Sequence, residues 1–252
     1  MPSYIKSFAA TLWSPFGMGF VVLSYILFAS FAMLVVLTTG SQDASHSIAR
    51  VWARFSLLIC GVRVHVEGQE HIPKDRAVVF ASNHCSQFDI MVLYHALPVQ
   101  FRFLAKQELF KVPILGQAMR LTGYIPIDRS GGRKALRSLN EAAKRVASGT
   151  SVVVFPEGTR SEDGRLQPFK VGGVLLAIKA KSPLVPVSIS GTQNVLPKGA
   201  FFAKAARVKV VIGKPVPVTD NDGNPRNKNE VLSDTYQGIY NGLDPDNLPT
   251  DV

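Results

Sequence analysis

Cysteine is almost missing from this 252-residue chain: Cys60 and Cys85 are the only two. Both sit in apolar or motif surroundings, which excludes a disulfide framework and agrees with a reducing compartment. No G-x-S-x-G elbow occurs, which excludes a serine nucleophile of the hydrolase kind. The histidines (His46, His65, His71, His84 and His95) follow no ligand spacing, and the sequence predicts no metal site. It lacks a helix-turn-helix signature and a basic stripe interleaved with aromatics. The net charge of +10 therefore does not indicate nucleic acid. Internal repeats and low-complexity tracts are absent too. The most consequential gap is in charge: from Ser7 to Gln42 there is no Asp, Glu, Lys or Arg.

Within that uncharged stretch, residues 16 to 37 are a run of Val, Leu, Ile, Phe, Ala and Met, interrupted only by Gly, Ser24, Tyr25 and Ser30. About 20 apolar residues cross a hydrocarbon core as a helix, so the run predicts a membrane anchor that spans or lies bent in one leaflet. A signal peptide would have an apolar core of roughly 7–15 residues and a small-x-small exit. This run is longer, and Leu37-Thr38-Thr39-Gly40-Ser41 is a poor exit. One cation, Lys6, precedes the run, whereas Arg50, Arg54, Arg63, Lys74 and Arg76 follow it. The positive-inside tendency then puts the larger part on the cytoplasmic side of an inner membrane. A basic domain beside an apolar anchor fits attraction to anionic membrane lipid, although a merely solvated basic surface has the same composition.

The length suits one substantial domain plus an extra element. Three parts are expected: 1–60, a membrane anchor and amphipathic helix; 61–243, a catalytic domain; and 244–252, a loose polar tail with two prolines. Ser41–Leu58 carries Ile48, Val51, Trp52, Phe55 and Leu58 at three- and four-residue steps, the pattern of an amphipathic helix that packs on the domain or lies in the interface. Short β-branched runs at 63–67, 77–82, 101–105, 123–127, 151–155, 184–189 and 208–212 read as strands. Helical patterns fall between them at 90–96, 133–148 (stopped by Gly149) and 172–180. This alternation predicts an α/β fold: a mixed, largely parallel central sheet flanked by helices, preceded by the N-terminal apolar helical segment.

The chemistry starts at Asn83-His84-Cys85-Ser86-Gln87-Phe88-Asp89. On a continuous helix a five-residue step turns about 140°, so His84 and Asp89 would face apart. They can meet only if His84 stands on the turn before the helix and Asp89 in its first turn. Asp89 then accepts the Nδ1 proton, and Nε2 is left as a base. A satisfied histidine beside a helix-start aspartate is the plain alternative. Some seventy residues on, the run Val152-Val153-Val154-Phe155 delivers Pro156-Glu157-Gly158-Thr159-Arg160 to the carboxyl end of a strand, where ligands bind in open α/β sheets. Lys106 and Arg129 follow two other strands. Three cations at consecutive strand ends suggest an anion clamp, with arginine offering a fork to phosphate.

These residues form four ordered blocks that resemble the lysophosphatidic acid acyltransferase family, the 1-acyl-glycerol-3-phosphate O-acyltransferases with an N-H-x4-D motif. Asn83-His84-x4-Asp89 is the first block. Lys106-x-Glu108-Leu109, leading to Gly123-Tyr124-Ile125-Pro126-Ile127-Asp128-Arg129, is the second. Phe155-Pro156-Glu157-Gly158-Thr159-Arg160-Ser161 is the third, continued by Pro168-Phe169-Lys170-x-Gly172, and Val185-Pro186-Val187 is the fourth. The likeness covers roughly residues 75–200, and the order of the blocks carries more weight than any one of them.

The resemblance implies transfer of an acyl group from an acyl carrier protein or coenzyme A thioester to the sn-2 hydroxyl of lysophosphatidic acid, giving phosphatidic acid. His84 would be the general base and Asp89 its orienter, with Asn83, Ser86 and Pro156 supporting the motifs. Lys106, Arg129, Glu157, Gly158, Thr159 and Arg160 would form the phosphate site. Val185, Pro186 and Val187 would border the acyl path or pack the core. The thioester is already activated, so no bound metal or redox cofactor is expected. Two alternatives are transfer to another lyso-lipid, such as a lyso-ornithine lipid, and a non-catalytic membrane-tethered lipid-binding protein.

Overall fold

The computed structural model describes residues 3–250, with side chains from residue 17 onward. The Lys6 side chain and the last two residues of the tail lie outside the described residues. Helix α1 (Ser3–Thr39) and helix α2 (Gln42–Ile59) form a hairpin. At its turn, Ser41 caps α2 by accepting the Ala44 N–H at 3.1 Å. Then follow β1 (Arg63–Glu67), β2 (Val79–Ser82), α3 (Phe88–Ala96), β3 (Arg102–Lys106), α4 (Leu115–Leu121), β4 (Ile125–Ile127) and α5 (Gly132–Ala147). The remainder is β5 (Val152–Val154), α6 (Gly172–Ala180), β6 (Leu184–Ser190), α7 (Thr192–Val195), β7 (Arg207–Ile212) and α8 (Lys228–Tyr240).

Seven strands form one sheet in the order β1-β7-β6-β2-β5-β3-β4. Every neighbouring pair is parallel except β6 with β7. The expected mixed, largely parallel architecture is thus the one observed. β2, β5 and β6 are buried at every position, because helices cover both faces and each face needs apolar side chains. Phe80, Val153, Val185 and Val187 point to the side that carries α1, α2 and α3, and each contributes about 1.5–3 kcal/mol on burial. Val79, Val152, Val154 and Leu184 point to the other side, where α5, α6 and α8 pack.

Pro186 sits inside central strand β6, a place proline usually avoids. Its carbonyl accepts the Gly213 N–H at 2.9 Å just beyond the end of β7. The proton it lacks would have pointed to that same side, away from the β2 ladder, so no β2 bond is lost.

The tail is not loose as expected. Pro245–Asn247 forms a short 3₁₀ turn, and Asn247 is buried. Its side chain donates to the Gly164 carbonyl at 2.6 Å, and its carbonyl accepts the Leu166 N–H at 2.9 Å. Polar composition concealed a docked segment whose polar atoms are satisfied by another loop. Helices α4, α7 and α8 were also not anticipated.

Candidate active site

The parallel strands β2, β5, β3 and β4 end on one edge, and the sequence motifs sit on the loops that leave it. Asn83 fixes the first loop. Its amide accepts the Ile189 N–H at 2.7 Å and donates to the Ile189 carbonyl at 2.8 Å, mimicking one more step of ladder after β2 has ended. The chain then turns. Asp89, in the first turn of α3 and wholly buried, offers one oxygen to three donors: His84 Nδ1 at 2.7 Å, Cys85 N–H at 2.8 Å and Ser86 N–H at 2.9 Å. A five-residue spacing therefore brings imidazole and carboxylate together because helix α3 starts only at Phe88.

With Nδ1 facing a carboxylate, the ring's proton is on Nδ1 and Nε2 keeps its lone pair. The ring stacks on Phe155 with centroids 3.9 Å apart and planes 15° apart, so neither its tilt nor its depth is free. Ser86 Oγ accepts the Phe88 N–H at 3.2 Å and donates to the Leu196 carbonyl at 2.8 Å, tying the same turn to α7.

The third block holds His84 from beneath. Glu157 accepts the His84 backbone N–H at 2.8 Å, and the Ser161 N–H donates to the His84 carbonyl at 2.8 Å. Glu157 is 3% exposed and lies under the loop. That corrects its expected part in the phosphate site, since one oxygen is taken by the His84 N–H and the residue does not line the cavity that the cations share. Burial pushes its pKa up to about 8, opposed by the His84 N–H and reinforced by the Asp89 charge. Pro156 is buried beside it. Gly158 takes a positive φ of 78°, and a Cβ there would approach Lys170 Nζ to 3.0 Å, so both the turn and the packing favour glycine.

His84, Lys106, Arg129, Gly158, Thr159 and Arg160 all line one cavity of about 630 Å³. The three cations come from the ends of β3, β4 and β5, neighbours in the sheet. Arg129 Nη1 also donates to the Gly158 carbonyl, which pins the β4 loop to the β5 loop. The three cations expected from the sequence thus line the same cavity as His84. Val185 and Val187 are fully buried in the core and do not reach the cavity. Pro186 packs near the backbone of α8, where a Cβ on Gly238 would meet its ring at 2.6 Å. The fourth block is therefore core, and the acyl-path reading falls away.

Sequence reasoning missed the cavity's other end. Away from the cations it is walled by Val21, Tyr25 and Phe28 of α1, Trp52 of α2 and Met91 of α3, with Met119 of α4. Trp52 Nε1 donates to Ser24 Oγ at 3.2 Å, and Tyr25 meets the Trp52 ring edge-on at 5.3 Å. Helices α1 and α2 thus form a wall of the cavity as well as an exposed apolar surface. The apolar face of Ser41–Leu58 was the one available signal, and it could not say what filled the space opposite.

The family model described as Acyltransferase matches residues 63–190. A chloroplastic 1-acyl-sn-glycerol-3-phosphate acyltransferase of Brassica napus is 33% identical over 202 residues, 79% of this chain and 58% of that protein. A chloroplastic relative of the same name from Arabidopsis thaliana is 37% identical over 68% of this chain and 48% of its own length. The chain thus spans about half of these plant relatives. The Bos taurus protein named 1-acyl-sn-glycerol-3-phosphate acyltransferase alpha is 34% identical over 82% of this chain and 75% of its own length. The crystal structure of the 1-acyl-sn-glycerophosphate (LPA) acyltransferase of Thermotoga maritima superposes with a TM-score of 0.72 at 27% identity, covering 94% of this chain and 95% of that one. Matched along more than half its length by the family model, and by relatives from plants, a mammal and a bacterium, the chain belongs to the acyltransferase family and, within it, to the 1-acyl-sn-glycerol-3-phosphate acyltransferases.

Proposed function

We propose that this chain transfers a fatty acyl group from an acyl thioester to the sn-2 hydroxyl of 1-acyl-glycerol-3-phosphate, making phosphatidic acid. One observation carries the reading: a histidine braced by a buried carboxylate at 2.7 Å opens onto a cavity lined both by three cations and by apolar side chains of α1, α2 and α3. His84 Nε2 takes the proton of the acceptor hydroxyl as the oxygen attacks the thioester carbonyl. Asp89 steadies the imidazolium that forms. The tetrahedral adduct collapses, the carbon–sulfur bond breaks, and the imidazolium returns its proton to the departing thiolate of acyl carrier protein or coenzyme A. Lys106, Arg129 and Arg160 hold the acceptor phosphate, leaving the hydroxyl a few ångströms from the base. The apolar end of the cavity takes an acyl chain. Proton transfer of this kind is worth ~10²–10⁴ in rate, and fixing both reactants together supplies much of the rest.

Helix α1 supplies the setting. Residues 17–39 are apolar enough to cross a bilayer and are mostly unburied by the protein. Lipid on that surface would keep the enzyme where its acceptor and product reside, with the catalytic domain on the cytoplasmic side. The test is thiol release by purified protein with acyl carrier protein and coenzyme A donors, offered to lysophosphatidic acid, other lysophospholipids and a lyso-ornithine lipid. Release that depends on lysophosphatidic acid is expected. Equal or faster turnover with an acceptor lacking phosphate would move the assignment to that lipid.

A further inference from the structure

Phe201 is 81% exposed, more than any other large apolar side chain among the described residues, and Phe202 beside it is 53% exposed. Their loop is well tied: the Lys204 N–H donates to the Val195 carbonyl at 2.8 Å, the Ala200 N–H to the Pro197 carbonyl at 3.0 Å, and Ala203 is buried in the core. Two rings are therefore held out in solvent by a built scaffold. The loop abuts the end of α2, where a Cβ on Gly61 would lie 3.0 Å from Ala205 Cβ and the Arg63 N–H meets the Ala206 carbonyl at 3.0 Å. On α2 itself, Val51, Phe55 and Leu58 share one face by helical spacing. Val51 and Leu58 are exposed, and Phe55 packs against Phe20 of α1 with centroids 5.6 Å apart. An apolar strip thus runs from α1 across α2 towards the loop. Arg54 and Lys204 are exposed beside it, and no ion pair is found for either among the described residues.

We propose that Phe201 and Phe202 form a second membrane contact, inserting at the headgroup–acyl boundary of an anionic bilayer while Arg54 and Lys204 meet its phosphates. The inference rests on the reading that α1 enters the bilayer. Aromatic rings favour that boundary, and cations beside them gain from anionic lipid. A second foot beyond the end of α2 would fix how far the domain tilts over the membrane, which one helical hairpin leaves open.

The test uses the full chain in vesicles, with Phe201→Cys carrying an environment-sensitive fluorophore. Native Cys60 and Cys85 are buried and should not compete for label. Lipids bearing a nitroxide near the headgroup should quench the label, aqueous iodide should quench it poorly, and the lipid quenching should weaken in zwitterionic vesicles. A Leu27→Cys control reports α1. Quenching at 27 without quenching at 201 overturns this proposal alone, and no quenching at either overturns the membrane reading beneath it. A label at 201 shielded from both quenchers in a cross-linkable dimer would give the surface to a second copy and overturn the proposal. Joint Phe201→Asp and Phe202→Asp substitution should lower kcat/KM about tenfold on vesicle-borne acceptor and leave turnover of detergent-dispersed acceptor unchanged. Equal loss on both would also count against it. The quenching readout does not depend on acyl transfer.

Discussion

The two helical layers that sandwich the sheet are built from opposite materials. On one side α1 and α2 turn apolar side chains outward, with Leu27 63% and Leu37 70% exposed, over a buried α3. On the other, α5 turns out Arg133, Lys134, Arg137, Lys144 and Arg145. Both layers bury apolar residues against the same strands, so the sheet does not distinguish them. The chemistry does: His84, the cations and the apolar cavity all open to the first side, and none opens to the second. The lesson is that one sheet can carry an exposed apolar layer and a charged one at once, with the candidate site where the strands end and the apolar helices begin.

The comparison breaks most visibly at His84. His84→Ala is expected to lower kcat by ~10²–10⁴ while lysolipid binding stays nearly unchanged, measured by steady-state turnover and by direct binding. Its counterpart across the sheet is Ser188, buried, with Oγ donating to the Ile239 carbonyl of α8 at 2.7 Å. Ser188→Ala should cost about 1 kcal/mol of stability and leave kcat alone. A rate loss at Ser188 equal to that at His84 would erase the division between the layers.

A second pair tests what the outward surfaces meet. Leu27 stands near the middle of the α1 span, whereas Leu136 is 51% exposed on α5. Leu27→Lys places a charge at mid-span and should weaken membrane partition by roughly 3 kcal/mol. Leu136→Lys adds one more cation to an already cationic surface and should change partition little. Vesicle flotation checks both, and equal behaviour would mean that α1 is not the lipid-facing element.

The cationic rim gives a smaller effect. A charge-assisted hydrogen bond is worth about 1.5–3 kcal/mol, so Arg160→Ala should raise acceptor KM by roughly 10- to 150-fold with a lesser fall in kcat. Lys179→Ala on the far layer should do neither. An unchanged KM at Arg160 would send the phosphate elsewhere.

Much of this division was legible beforehand. The central strands were readable because β2 and β5 are short, nearly continuous apolar runs and β6 is apolar but for Pro186, Ser188 and Ser190, as in a doubly covered sheet. The His84–Asp89 contact was readable because a five-residue spacing works only at a helix start. The cavity was not, since its wall joins Tyr25 and Trp52 to Met91 and Met119, residues brought together only by tertiary packing. Residues 16–37 likewise hide two faces: Val21, Ser24 and Ala32 are buried while Val22, Leu23 and Leu27 are exposed. An all-apolar helix has no polar stripe to reveal which side meets protein and which meets lipid. Glu157 was misassigned because its motif gives proximity but not direction.

Glu157 also offers the finest test, because it joins the β5 loop to the turn that carries His84. Its pKa rises from the ordinary 4.5 to about 8 in the folded chain. Between those values the folded state holds a proton that the unfolded state has released, so folding stability falls as pH rises through that window, by up to ~1.4 kcal/mol per pH unit. The contribution is complete below the unfolded value and gone above the folded one. Glu157→Gln keeps the acceptor oxygen for the His84 N–H and removes the titration. Its melting temperature should therefore change less between pH 5 and 8 than that of the native chain, with most turnover retained near neutrality. A native chain whose melting temperature is flat across that range would show that Glu157 is ionised beneath the loop, and the turn holding His84 would then rest on a buried charge rather than on a neutral acid.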